Sequence, residues 1–160
     1  MIRLAKQEDM PRLLDIYGAA RDFMRQSGNP TQWGGNYPGE DVLREDIRSG
    51  HLYCLEGPEG LCACFMLAPG PDITYDQIFD GAWSCDLPYG VIHRVASDGT
   101  QKAVLSRCVA FAGERFRYLR IDTHRDNLPM QRALSREGFV YRGIIHTHDG
   151  TPRLAYDRIQ

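Results

Sequence analysis

No apolar run in this 160-residue sequence approaches the ~20 residues that a membrane-spanning helix needs, so no membrane partner is expected. Met1-Ile2-Arg3-Leu4 passes straight into strand-like and helix-like sequence without the basic, apolar and cleavage regions of a signal peptide, and the expected location is the cytoplasm. Positive charge is massed nowhere: 19 Lys and Arg stand against 21 Asp and Glu, the net charge is −2, and the basic face of a nucleic-acid reader is missing. The five cysteines (Cys54, Cys62, Cys64, Cys85, Cys108) make no C-x2-C pair, which argues against a metal site and leaves them as reduced, small core hydrophobes. There is no Gly-x-Ser-x-Gly elbow, so no Ser-His-Asp triad is assignable. Repeats, low-complexity tracts and linkers are absent too, and the length suits one domain over residues 1–160.

What is present has the composition of an ordinary globular protein, 42% apolar and 25% charged. Ile2 to Ala5 reads as a short strand. Met10, Leu13, Leu14, Tyr17 and Arg21 then recur at helical spacing, with Pro11 tolerable in the first turn and Ser27-Gly28-Asn29-Pro30 as a stop. The next segment, Asn29 to Pro38, mixes two aromatics with glycines, prolines and amides and predicts a loop. Its Trp33 and Tyr37 either plug the edge of the core or line a substrate site. Glu40 to Arg48 reads as a short helix. His51 to Glu56 and Leu61 to Ala68, joined by Gly57-Pro58-Glu59-Gly60, read as a hairpin. Pro69 to Ala82 is loop-rich, with a helical turn or two suggested around Tyr75, Ile78 and Phe79. A second hairpin, Val140 to His146 and Arg153 to Ile159, turns at His148-Asp149-Gly150-Thr151.

The stretch Val91 to Phe139 carries the most information. A β-rich run, VIHRVAS, is followed by the polar break DGTQK and a helix with Val104, Cys108, Phe111, Ala112 and Phe116 on one side. A strand (Leu119 to Thr123) and a second helix (Leu128 to Glu137, stopped by Gly138) complete the unit. A strand-to-helix turn offers unpaired N–H groups that suit a pyrophosphate. Strand pairs flanking crossover helices argue for a mixed α/β (α+β) sheet.

These residues resemble the GNAT family of N-acetyltransferases. In that family a loop of the form [Gln/Arg]-x-x-Gly-x-[Gly/Ala] follows the fourth strand and grips the coenzyme A pyrophosphate; a strand, an Asn and a helix ending in Gly-Phe come next. Here Gln101-Lys102-Ala103-Val104-Leu105-Ser106, Arg120-Ile121-Asp122-Thr123, Asn127 and Gly138-Phe139 stand in that order. Both loop glycines are missing from this loop, which carries Ala103 and Leu105 instead; Leu134 stands where many members carry a Tyr, and Met130 stands at a usual Ala. The resemblance implies a central mixed, mostly antiparallel sheet whose strands four and five are parallel and splayed, with helices on both faces. It also implies acetyl-CoA as co-substrate, a small-molecule amine or amino-acid-like acceptor, and a homodimer as a common assembly. The alternative is a catalytically degenerate relative that binds acyl-CoA as a sensor or serves as an interaction module.

Direct transfer needs donors for the oxyanion, a base for the ammonium and an acid for the thiolate. The resemblance assigns the backbone of Val95, Ala96 and Ser97 to the pantetheine arm and Gln101 to Ser106 to the pyrophosphate, with Lys102 adding charge. Asn127 is both a natural helix N-cap and a candidate cofactor contact. Asp122 is a candidate base acting through water, or an ion-pair partner of Arg120, Arg125 or His124. His124 is a candidate base or a loop brace. His93 is either a core or a pocket histidine, counted with Trp33 and Tyr37 on the substrate side. Tyr141 is the candidate acid, or a packing residue on the sheet. His146 and His148 read as solvent-exposed.

Overall fold

The β-prone runs flanking Gly57-Pro58-Glu59-Gly60 pair as antiparallel strands in a computed structural model that describes residues 1–160: β2 (Leu52–Gly57) and β3 (Gly60–Pro69). β1 (Ile2–Leu4) joins the free edge of β2, and β4 (Gly90–Ser97) lies antiparallel to β3. β5 (Tyr118–Thr123) runs parallel to β4. β7 (Pro152–Ile159) inserts between β5 and β6 (Val140–His146), giving the order β1-β2-β3-β4-β5-β7-β6. The sheet is mixed, as the sequence pattern suggests, and mostly antiparallel, as the resemblance implies.

Helices cover both faces. On α1 (Met10–Gln26) the buried positions Leu13, Ile16, Tyr17 and Ala20 keep helical spacing and pack with Leu43 of α2 (Glu40–Arg48) on Leu52, Cys54, Cys64 and Ala96. On the other face Val104, Cys108 and Ala112 of α3 (Val104–Gly113) and Leu134 of α4 (Leu128–Arg136) pack on Phe65, Ile92 and Leu119. Each fully buried Leu or Ile in these layers contributes roughly 1.5–3 kcal/mol. α4 starts on Asn127, whose Oδ1 accepts from Met130 N at 3.2 Å, and stops at Gly138, whose φ of 82° suits a left-handed cap.

The loop after β3 differs in detail from the sequence expectation. Its 3₁₀ turn covers Ile73–Tyr75, ahead of Ile78 and Phe79, because Phe79 is taken by a two-way backbone bridge to Ile144 of β6. Gly81 follows where a Cβ would lie 1.8 Å from the Arg142 carbonyl oxygen, so only glycine fits that crossing.

Two features of β4 position the site. Its ladder with β5 holds only Gly90↔Leu119 and Val91↔Arg120. From Ile92 onward that edge of β4 has no strand partner, so the parting begins earlier than the strand ends at Ser97 and Thr123. The second feature is a bulge. Met66 faces His93 and Cys64 faces Ala96, so β4 carries an extra residue, and Arg94 sits there at φ 51°. A left-handed non-glycine residue costs about 1–2 kcal/mol and persists only where its surroundings hold it. Here Tyr17 of α1 donates to the Arg94 carbonyl at 2.7 Å. The Arg94 guanidinium donates to both Asp46 oxygens of α2 at 2.7 and 2.8 Å, and to the Tyr37 hydroxyl at 3.1 Å.

Candidate active site

The wedge between β4 and β5 opens into a cavity of about 680 Å³. Its walls are His93 to Val95 of β4, Ile121 to Thr123 of β5, the first turn of α4 at Asn127 and Met130, the loop Thr31 to Tyr37, and Arg153 of β7. This places it at the carboxyl ends of two diverging parallel strands, where open α/β sheets hold ligands.

Three ionisable side chains and a tyrosine meet on one wall. His93 Nε2 lies 2.8 Å from Asp72 Oδ2, so the neutral ring carries its proton there and leaves the Nδ1 lone pair toward the cavity. Nδ1 stands 3.7 Å from Asp122 Oδ2, too far for a hydrogen bond, and Tyr75 donates its hydroxyl to the same Asp122 oxygen at 2.7 Å. Burial pushes the Asp72 carboxyl up, but hydrogen bonds from His93 and Thr74 more than offset it and hold its pKa below the ordinary carboxylate range. Burial and the Asp122 charge raise the Tyr75 pKa well above its usual value, so the phenol remains a donor.

The amino end of α3 has the features of an anion site. Its N-cap, Ala103, makes no side-chain capping bond, in contrast to Asn127 on α4. Four N–H groups at a helix start lack intrahelical partners, and a phosphate can satisfy them. Ala103 itself adopts φ 55° and ψ 33°, which marks it as the position where a glycine is favoured.

No family model and no curated protein sequence matches the chain. Solved structures do. A GNAT-family acetyltransferase from Streptococcus agalactiae superposes with a TM-score of 0.89 at 28% identity, covering 100% of this chain and 95% of that one. The chain has the fold of the GNAT-family acetyltransferases. A GNAT-family acetyltransferase from Listeria monocytogenes (TM-score 0.71, 18% identity, 100% and 94% covered) shares the fold. So does a ribosomal-protein-alanine N-acetyltransferase from Brucella melitensis (0.64, 17%, 100% and 99%).

Within this GNAT fold the residues singled out from the sequence separate into groups. Asp122, His93, Trp33, Tyr37, Val95 and Asn127 line the one cavity. Trp33 also lies tilted against Tyr17, with ring centres 5.6 Å apart, and packs on the core, so its two readings coincide. Asn127 divides its amide between the Met130 cap and Gln32, to which its Nδ2 donates at 2.9 Å. The Ala96 side chain is buried in the core, leaving only its backbone to a ligand, and the Ser97 hydroxyl accepts from Gly99 N at 3.1 Å. Gln101 and Lys102 approach the start of α3, Val104 and Leu105 lean on the core, and Ser106 donates its hydroxyl to Glu137. Leu105 thus points away from the wedge.

Two assignments need correction. Tyr141 is 46% exposed on β6, packs edge-on against Tyr156 and lies outside the cavity. His124 braces a loop: its Nδ1 accepts from Asp126 N at 3.0 Å and its Nε2 meets Thr31 Oγ1 at 3.3 Å. Burial, with Arg153 adding repulsion, lowers its pKa. Both ring nitrogens are occupied, which leaves no free lone pair for a substrate. The ion pairs considered for Asp122 also do not form. Arg120 is held instead among Trp83, Tyr89 and Tyr118, at 4.2, 4.1 and 5.2 Å from the ring centres. Asp72, Tyr75 and Arg153 went unread in the sequence. Only Gly70-Pro71-Asp72, a turn signal, hinted at an ordered loop there.

Relieving the left-handed Ala103 gives the first expected result. Ala103→Gly raises stability by about 1 kcal/mol, a midpoint shift of about 2–4 °C in thermal unfolding, and tightens coenzyme A binding. A lowered midpoint with unchanged affinity would place the phosphates elsewhere. Leu105→Gly is the poorer test, because it removes a core contact along with helix propensity.

Proposed function

We propose that this chain moves an acetyl group from acetyl-CoA to the amine of a small, amino-acid-like acceptor by direct attack. The observation that carries this reading is the His93–Asp72–Asp122 cluster on the wall of the β4–β5 wedge. The α3 start is suited to the pyrophosphate through its uncapped amides and Lys102. The unpaired edge of β4 past Val91 can pair with a pantetheine arm as an added strand would. Acetyl-CoA supplies an electrophilic thioester carbonyl when bound. An N–H at the Arg94 bulge, near Val95, serves as its hydrogen-bond donor.

Asp122 attracts the acceptor's ammonium. His93 Nδ1 takes one proton from the ammonium, which frees the nitrogen lone pair to attack the carbonyl carbon, while Asp72 fixes the ring tautomer and offsets the imidazolium charge; the second nitrogen proton passes to water as the C–S bond breaks. The thiolate that departs takes a proton from water, since Leu134 is sealed in the core and no tyrosine replaces it.

Two measurements test this. Acetyl-CoA at 100 times its Kd stabilises the fold by about 2.7 kcal/mol, about 5–10 °C in midpoint, and a thiol-release assay over an amine panel detects turnover. A flat midpoint at millimolar acetyl-CoA rules out cofactor use. A shift without thiol release assigns the sensor reading, which the altered loop at Ala103 and Leu105 favours.

A further inference from the structure

Arg153 is the cation in this molecule whose charge is least accounted for. It is 8% exposed, lines the cavity, and donates only to two carbonyls, Pro152 O at 3.1 Å and Gln32 O at 2.9 Å. A guanidinium has five N–H donors in a planar fork, so most of this one remains unused. No carboxylate lies within 4.0 Å of it, whereas Arg94 has Asp46 and Arg142 has Asp157. Arg120, also buried and without a carboxylate, sits among aromatic faces instead. Burial lowers the Arg153 pKa from its ordinary value, and Asp122 and Asp149 oppose this only from beyond contact. A buried charge without a partner is costly and implies something that pairs with it.

Register relates this charge to the catalytic wall. Asp122 pairs with Ala155, so Arg153, two residues before Ala155, is on the same face of the β5–β7 ladder as Asp122 and is its diagonal neighbour. Such diagonals are roughly 7–8 Å apart, within reach of a long side chain.

We infer that the acceptor is a free amino acid whose carboxylate is held by the Arg153 fork, with its amine at Asp122 and His93. This rests on the acetyl-transfer reading for the amine end and adds the anionic end. It excludes the amino terminus of a peptide, where an amide replaces the adjacent carboxylate. A bidentate Arg–carboxylate pair also fixes the direction of the amine, which a lone ammonium site would not.

The test is calorimetric titration of free amino acids, their carboxamides and a short peptide into the protein held with coenzyme A, where no transfer occurs. The expected result is at least one free amino acid binding tenfold or more tighter than its carboxamide. Arg153→Gln should erase that preference and Arg153→Lys restore part of it, with coenzyme A affinity unchanged. Should Arg153→Gln fail to fold, Arg153→Lys carries the test alone, keeping the charge but losing the planar fork, with a three- to tenfold loss confined to the carboxylate ligand. Equal binding of acid and amide, no binding by any of the panel, or a preference that survives these variants overturns the inference. Thiol release with plain amines and no preference for a carboxylate would leave the transfer reading standing and remove this one. Amino-acid binding without thiol release would do the reverse.

Discussion

His93→Ala lowers kcat by about 10²–10⁴-fold, the range a positioned proton acceptor contributes, while acetyl-CoA binding stays at the wild-type level. The ring sits between two carboxylates, with Nε2 engaged by Asp72 and Nδ1 facing the cavity beside Asp122. Removing it leaves the incoming ammonium with a carboxylate to attract it and nothing suitably placed to accept its proton. Asp72→Asn distinguishes base from orienter. The amide can accept from Nε2 as the carboxylate does, but it cannot offset the imidazolium charge, so kcat falls while acceptor KM holds. Asp122→Asn instead raises acceptor KM, because it removes the charge that draws the amine in. Steady-state kinetics on the three variants reads these apart. A kcat within threefold of wild type for His93→Ala would move the base elsewhere in the cavity.

Asp46→Ala unfolds the protein more readily than any surface change should, by about 3–5 kcal/mol, the cost of leaving one partner of a buried ion pair alone. That corresponds to about 6–20 °C in midpoint. Burial opposes the Arg94 charge, yet the hydrogen bonds it donates to Asp46 hold its pKa above the ordinary arginine value. Tyr37, the other side chain that meets the guanidinium, is 40% exposed and cannot replace a carboxylate. Loss of the clamp also frees the left-handed Arg94 backbone to relax, which shifts the Val95 amide and lowers kcat in whatever fraction stays folded. Denaturant melts and kinetics on the same preparation check both effects. A variant within 1 kcal/mol of wild type would mean the bulge holds itself without α2.

What the sequence revealed was local. The helices, the two hairpins and the strand–loop–helix unit from Val91 to Phe139 follow from periodicity and stop signals within a few residues of each other. The Asn127 cap and the Gly138 stop are examples. What it hid was set by distant contacts. The Arg94 bulge depends on Tyr17 and Asp46 from two separate helices. The partner that orients His93 comes from an irregular loop, and the Arg153 charge looks like any solvated strand residue until β7 is seen beside β5. Tyr141 drew attention because it follows Gly138-Phe139 closely, yet β6 is an outer strand with one side to solvent, and nearness along the chain did not bring it to the cavity. His124 has the residue type of a base, but Asp126 and Thr31 occupy both ring nitrogens.

The placement of β7 has a consequence for how the chain is made. β6 leaves the ribosome before the strand that will lie between it and β5, and synthesis proceeds at ~5–20 residues per second. Until Pro152–Ile159 emerge, β5 presents an open row of amides and carbonyls and β6 has nothing to pair with. A ribosome stalled just short of that last strand therefore holds a half-sheet with a sticky margin, and a chaperone that shields strand edges would find its client there.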